Sequence, residues 1–354
     1  MRFTFDTIPS RVLFGAGCIA QLPEETDRLG AQRILLVATR GRRELLERAT
    51  TMLGSRVAGT FDEAVVHVPG AVAERAREYA SAQRADSILA LGGGSAIGVA
   101  KAVAASNNLP IIAVPTTYSG SEMTPLWGMT EDGTKRTGRD ARVQPKVVLY
   151  DPELTLHLPV PVSAASGMNA IAHCVEALYA PDANPVTSWM AEEGIRSLSS
   201  ALPVITETPA DIVARTKALY GAWLAGSALG TVQMGLHHKL CHTLGGSFDL
   251  PHAETHAVLL PYAAEYNLEA AGGAMAIVAR ALGGGDAPSA LYAFGRRIGT
   301  PASLADIGMR EQDLERAADL AVERPYPNPQ PVMRDGVLAL LRKAFEGMPP
   351  RTLR

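Results

Sequence analysis

Ser87-Ile-Leu-Ala-Leu-Gly-Gly-Gly-Ser95 is an apolar run that breaks on three glycines and a serine, and the residues beyond it, Ala96 to Ala105, are rich in alanine. That pattern reads as a buried strand passing through a tight turn into a helix. Glycines at such a junction let the backbone approach a ligand closely, and the N–H groups and positive dipole end of the following helix favour an anion. A dinucleotide pyrophosphate is the natural guest. A tight turn with no ligand would look the same, and the motif is not the GxGxxG fingerprint.

Outward from this turn the same alternation continues. ILLVAT (34–39), AVVHVP (64–69), PIIAVPTT (110–117) and KVVLYDP (146–152) are strand candidates separated by helix-like segments. Continuous apolar runs of this kind predict a parallel, Rossmann-like α/β sheet covered on both faces. Thr116 and Thr117 then place two hydroxyls at the carboxyl edge of the sheet, where open α/β sheets bind ligands. Thr39-Arg40 follows the first of these strands, where an acidic residue would hold an adenosine ribose and repel a 2′-phosphate. Thr followed by Arg does neither, which admits NADPH beside NADH; Arg40 as a plain surface charge is the competing reading. After Asp151-Pro152-Glu153 the strand signals stop, and Leu158-Pro-Val-Pro161 reads as a linker. From Ser163 onward the pattern is helical, with segments at 169–179, 185–202, 210–230 and 334–345 and a stiff Pro325-to-Pro331 connector before the last. A chain of 354 residues exceeds the usual ceiling for one core. Two domains are expected, 1–157 α/β and dinucleotide-binding, 158–354 all-helical.

Composition narrows the function. A formal net charge of −3 gives no electrostatic reason to expect nucleic acid or membrane as partner. No apolar stretch is long enough to span a bilayer, and Asp6, Pro9 and Arg11 interrupt the N-terminus where a signal peptide would be apolar. Cys18, Cys174 and Cys241 are odd in number and widely spaced, as expected for reduced thiols in the cytoplasm. Small-molecule chemistry is what remains.

Six of the eight histidines, His173, His237, His238, His242, His252 and His256, fall in one stretch of the second half. Asn169, His173 and Glu176 stand at i, i+4 and i+7 and so project from one face of a helix. His238 and His242 repeat the i, i+4 spacing, and His252 follows a turn near a helix start. Groups from two or three elements could converge on a metal, but Asn169 is neutral, which leaves three imidazoles and no anionic ligand. Without a metal, neutral or protonated imidazoles and Lys239 would form a cationic, hydrogen-bond-donating pocket for a dianionic substrate. Taken singly, each histidine is as well explained by a structural hydrogen bond.

Together these motifs, with Gly15-Ala-Gly17, Ser121-Glu122, Asp151-Pro-Glu-Leu-Thr155 and Leu244-Gly-Gly followed by Pro251-His252, resemble the iron-containing alcohol dehydrogenase superfamily and, within it, the maleylacetate reductases. The resemblance runs almost end to end. It implies the dehydroquinate synthase-like fold, with an N-terminal dinucleotide-binding domain, a C-terminal helical domain and an active site in the cleft between them. Metal-dependent members carry Asp, His, His and His where this chain has Asn169, His173, His238 and His252. Gly98 replaces the acid of GGGSxxD, Pro115-Thr-Thr-Tyr-Ser-Gly-Ser-Glu122 is one residue shorter than the usual loop, and His256, HHKLCH (237–242) and Tyr326-Pro-Asn-Pro are further maleylacetate reductase features. By the same resemblance Gly93, Gly94, Ser95, Thr116, Thr117, Lys135 and Thr39 are expected to hold NADH or NADPH, no metal is expected, and the chain is expected to form a homodimer. For Lys135 an ordinary loop charge is the competing reading.

The implied reaction is reduction of the carbon–carbon double bond of maleylacetate to 3-oxoadipate, in aromatic degradation. His173, His238, His242 and His252 would stabilise the enolate and supply a proton, while Lys239 and Tyr118 would grip the carboxylates. The main rival is a metal-dependent alcohol or polyol dehydrogenase of the same superfamily in which Asn169 still supports Fe²⁺ or Zn²⁺. A zinc lyase resembling dehydroquinate synthase shares the two-domain plan, and a cofactor-binding sensor without turnover would need the dinucleotide cradle alone.

Overall fold

The protein is described by a computed structural model over residues 3–6, 9–131 and 134–350. Within it the chain divides into two compact units, Ile8–Leu158 and Pro159–Arg354, the second of which also takes in Met1–Thr7, expected in the first domain.

The first unit contains strands β1 (Arg11–Phe14), β2 (Ile34–Ala38), β3 (Val57–Phe61), β4 (Ser87–Gly92), β5 (Ile111–Pro115), β6 (Leu126–Glu131), β7 (Thr134–Arg139) and β8 (Val147–Tyr150). Its helices are α1 (Leu22–Arg28), α2 (Arg43–Leu53), α3 (Gly70–Ala82) and α4 (Gly94–Asn107). Six strands form one parallel sheet in the order β1-β8-β5-β4-β2-β3. Every residue of β2, β4 and β5 is buried, which is why these segments read as unbroken apolar runs. Along β4 the pleat sends Ile88 and Ala90 into a core shared with α3 and α4, and Leu89 and Leu91 into a second core with Ile19, Leu22 and Leu53.

The strand order places the site. From β2 the chain steps outward to β3, then returns to the other side of β2 with β4 and continues to β5. The carboxyl ends of β2 and β4 therefore flank a topological switch point, where open α/β sheets bind ligands. Gly92 and Pro115 are register partners, so the glycine turn and the Pro-Thr-Thr segment leave the sheet side by side.

Two features differ from expectation. The run AVVHVP is no strand. Val57–Phe61 takes that place beside β2, and His67 and Val68 adopt left-handed backbone at φ 63° and 48°, which a strand excludes. Apolar composition alone could not reveal the sign of φ. The antiparallel pair β6–β7, whose described side chains are not deeply buried, gave no apolar signal.

The second unit is helical: α5 (Val160–Tyr179), α6 (Pro185–Glu207), α7 (Ile212–Thr231), α8 (Leu236–Phe248), α9 (His252–Asn267), α10 (Gly272–Ala281), α11 (Ala287–Arg297), α12 (Leu314–Val322) and α13 (Arg334–Glu346). The Pro-Val-Pro stretch expected as linker is already the start of α5, because proline is tolerated in a first helical turn. Helix α5 is buried continuously from Ser163 to Leu178 and forms the centre of the unit. Glycines let its neighbours approach: a Cβ on Gly167 would stand 2.6 Å from Leu202 of α6, and one on Gly194 of α6 would stand 2.8 Å from Cys174 Sγ. Cys18, Cys174 and Cys241 are all buried and outside any disulfide. No helix among the described residues is long and apolar enough to cross a membrane.

Gly98 shows what the missing acid of the longer glycine motif means structurally. A Cβ there would stand 2.7 Å from Val68 Cγ2, so the strained 67–68 segment fills the space a side chain at 98 would need. Gly98→Asp should therefore cost about 1–3 kcal/mol of stability through overpacking. Urea unfolding would measure this, and an unchanged midpoint would show that the loop yields freely.

Candidate active site

The α/β unit holds a cradle at the start of α4. Gly93 is the N-cap, Gly94 and Ser95 open the helix, and all three are partly accessible. The first N–H groups of any helix lack internal partners, and here they point out of an uncharged turn. Gly92 has φ 147°, which glycine tolerates. Thr117 closes one wall: a Cβ on Gly93 would lie 2.7 Å from its Oγ1. Thr116 donates its N–H to Gly92 O at 3.2 Å, while its buried Oγ1 has no hydrogen-bond partner. An orphaned hydroxyl beside orphaned N–H groups suits a phosphate-bearing ligand, so the cradle fits a dinucleotide.

Thr39 stands at the carboxyl end of β2 and lines a cavity of about 470 Å³ with Arg42, Arg43, Glu47, Thr60 and Asp62. The arginines here are Arg42 and Arg43; Arg40, singled out from the sequence, is exposed. Lys135 lies on β7 opposite Thr130, half-buried, its Cε 3.3 Å from the Cβ position of Gly128. Tyr118 is wholly buried on the loop after β5.

The helical unit gathers the histidines. Asn169, His173 and Glu176 lie on α5, His237, His238 and His242 on α8, and His252 and His256 on α9. His256 is the hub, its ring centroid 4.5 Å from His252, 4.9 Å from His237 and from His238, and 6.1 Å from His173. His173 and His238 are 5.1 Å apart, and His242 and His252 stack at 6.5 Å. His173, His237, His238 and His256 are buried, whereas His242 and His252 are half-buried and form the accessible side. Lys239 is half-buried, and the charges that act on it are Glu323 and Arg324 rather than the histidines.

Glu176 organises this wall. Wholly buried, it accepts the backbone N–H of His237 at 2.9 Å and of Gly235 at 3.2 Å, and the Tyr179 hydroxyl at 3.1 Å. His238 Nδ1 donates to it at 2.5 Å, since a carboxylate can only accept. Burial alone would raise Glu176, but His238 and His237 bring it down to about 2. The bond fixes Nδ1 of His238 and leaves its buried Nε2 with no partner. His173 Nδ1 and His256 Nε2 are buried without partners as well. Sequence reasoning named the set His173, His238, His242, His252 and Asn169 but left out His256 and His237. The His252–His256 i, i+4 spacing was the available signal.

Charge on the wall differs from the cationic pocket expected. Burial pushes His173 and His256 well below the usual histidine range, with neighbouring histidines adding to it. Burial takes His237 down to about 3, against the pull of Glu176. These three rings are neutral at pH 7, and burial also lowers Lys239.

The donor set argues against the family's metal at its usual positions. Asn169 brings no charge, and the donors of His173, His238 and His252 do not form a converging group among the described residues. The trio whose donor atoms do lie within 4.8 Å of one another is His237, Cys241 and His256. Within it His237 Nε2 and His256 Nδ1 already share a 3.1 Å hydrogen bond.

Comparison with known proteins places the chain among relatives. Residues 9–152 match the iron-containing alcohol dehydrogenase family, and residues 163–345 match the C-terminal domain of the Fe-containing alcohol dehydrogenase family. A maleylacetate reductase of Burkholderia cepacia is 53% identical over 98% of this chain and 99% of its own length. One from Sphingobium indicum is 50% identical over 99% and 100%. The crystal structure of maleylacetate reductase from Agrobacterium tumefaciens superposes with a TM-score of 0.93 at 48% identity, covering 99% of this chain and all of that one.

Neutral buried imidazoles make a pH prediction. The unfolded chain takes protons on these histidines below about pH 6.5, and the folded chain does not, so the folded pKa values are the depressed ones. Their stabilising contribution is complete above that pH and falls as acid is added, by up to about 1.4 kcal/mol per pH unit for each ring. Denaturant midpoints at pH 7.5 and 5.5 should show the loss; equal midpoints would mean that the folded rings protonate freely.

Proposed function

The chain belongs to the iron-containing alcohol dehydrogenase family, and within it we propose that it acts as a maleylacetate reductase, an oxidoreductase that saturates the double bond of maleylacetate to give 3-oxoadipate in the degradation of aromatic compounds. The observation that carries this reading is the wall of imidazoles on three helices, organised by one buried carboxylate and lacking an anionic metal ligand at Asn169.

When bound at the cradle, NADH or NADPH supplies the hydride that adds to the alkene carbon β to the ketone. The chain's own work is to hold the dinucleotide and to meet the charge that develops on the substrate. Gly93, Gly94, Ser95, Thr116 and Thr117 bind the pyrophosphate through N–H and hydroxyl groups, and Lys135 contributes to the ribose. Hydride addition puts negative charge on the ketone oxygen, making an enolate. The unpartnered Nε2 of His238 is the hydrogen-bond donor for that oxygen, and His173, His242, His252 and Asn169 line the pocket around it. His238 has a carboxylate partner, so in its charged form it is balanced by Glu176 and passes the Nε2 proton to the enolate carbon α to the ketone. Lys239 remains the candidate for a substrate carboxylate, whereas Tyr118 is wholly buried. No step requires a metal.

Following NADH consumption with maleylacetate, with and without a chelator, tests this directly. The expected outcome is full activity in chelator. His238→Ala and Glu176→Gln should each lower kcat about 10²-fold while the KM for NADH stays near wild type. Activity that disappears in chelator and returns with Fe²⁺ or Zn²⁺ would instead support a metal-dependent alcohol dehydrogenase.

The cavity at Thr39 supports use of both cofactors, because the end of β2 is a threonine rather than an acid and the lining offers Arg42 beside an Arg43 already paired with Glu47, with Asp62 opposing them. Thr39→Asp should raise the KM for NADPH about 10-fold through like-charge repulsion, with little change for NADH. Equal effects on both would remove Thr39 from the ribose subsite.

A further inference from the structure

Lys101 lies within α4, seven residues beyond Gly94, and is wholly buried, which long cationic side chains rarely are unless their charge is matched. Its Nζ reaches four oxygens: Ser121 O at 2.6 Å, Thr124 O and Leu126 O at 2.8 Å, and Thr124 Oγ1 at 2.9 Å. An ammonium has three protons, so four oxygens at these distances surround it as a coordination shell. Carbonyl dipoles aimed at one point repel each other unless a cation stands there, and rings of carbonyls elsewhere replace the hydration shell of a potassium ion in this way. A second buried charge, Glu122, lies in the same loop and is held by the Tyr150 hydroxyl at 2.8 Å and Ser119 Oγ at 3.2 Å.

The loop so gathered, from Thr116 to Leu126, forms the wall of the dinucleotide cradle. Its near end packs on the glycine turn, where Thr117 occupies the Cβ space of Gly93 and Ser119 stands in van der Waals contact with that of Gly94. Its far end is tied back to α4 by way of the ammonium. We infer that Lys101 is a tethered monovalent cation, a positioning residue whose charge folds the Ser121–Leu126 segment and so holds the cradle wall in place for the dinucleotide. The oxygen cage is accordingly a cation site that the chain fills with its own side chain, and removing that side chain leaves a site for ammonium or potassium. The inference rests on the cradle being the NADH site.

The test is Lys101→Ala in the full-length protein, with tetramethylammonium as the background cation. If the loop is then ordered about a tenth of the time, apparent NADH affinity measured by fluorescence falls about 10-fold. Ammonium or potassium chloride should restore it saturably to near the wild-type value, and tetramethylammonium at equal ionic strength should not. Wild-type affinity should be indifferent to all three. Ammonium should also raise the melting temperature of the variant, by about 2–4 °C per kcal/mol of binding, with NADH absent. A folded variant that binds NADH normally, or one that no small cation rescues in either measurement, overturns the inference. Should Lys101→Ala not fold, Thr124→Val removes one oxygen of the cage and Thr124→Ser retains it. The first should raise the KM for NADH several-fold at unchanged kcat and the second should not; equal KM values overturn the inference. Wild-type protein that fails to bind NADH while ammonium still stabilises Lys101→Ala would sink the cradle reading and leave the cage standing.

Discussion

A carboxylate sealed inside a helical unit must find enough donors there to replace water, and Glu176 finds four. Two are backbone N–H groups at the start of α8, one is the Tyr179 hydroxyl on its own helix, and one is the ring of His238. Because two of the four are peptide groups, the same charge that turns His238 also fixes where α8 begins. The positions of His237, His238 and His242 follow from that start, and α9 then brings His252 and His256 against them. The paired amides of Asn267 on α9 and Asn328 in the proline-rich connector reinforce the arrangement, since Asn328 also accepts the N–H of Leu236. Removing one partner of a buried charged pair typically costs about 3–5 kcal/mol, which is why such a carboxylate is structural and positional at once.

The first unit solves the mirror-image problem. Lys101 is a buried cation met by carbonyl oxygens, as Glu176 is a buried anion met by N–H groups. Burial pushes the lysine down to about 7, and Glu122 opposes that shift. In both units irregular backbone next to a ligand-binding element is held by one charge that reads peptide groups as well as side chains. Peptide groups are present whatever the loop sequence, so this form of support leaves the loop side chains free for binding.

Strands β2, β4, β5 and β8 were legible because burial on both faces makes them continuously apolar, and the glycine turn was legible because of where it stood in that rhythm. What decided β3 was the backbone sign at His67 and Val68, to which hydropathy is blind. The histidine set was half legible. Spacing along α5 and α8 placed Asn169, His173, His238 and His242, whereas His256 emerged as the hub only once α9 was packed, because rings from three helices converge on it. Lys101 carried a signal that went unread, as a lone cation in an otherwise apolar helix that faces the sheet on one side and a loop on the other.

Whether such a wall favours a metal or an enolate turns on charge. A divalent ion is held best where anionic ligands offset the cost of its dehydration, and the position that would supply one is an amide in this chain. The buried carboxylate beside the wall, Glu176, spends its acceptor capacity on α8 and Tyr179. What the wall presents instead are ring nitrogens, several of them buried and without protein partners, around a hub whose rings are kept neutral by burial. Neutral donors in a dry setting stabilise a charge that appears only during reaction, because they need no counter-charge while the site is empty. A fixed metal would impose its charge on every state of the site. The imidazole wall responds chiefly to the oxyanion, which is the property that reduction of a conjugated double bond requires.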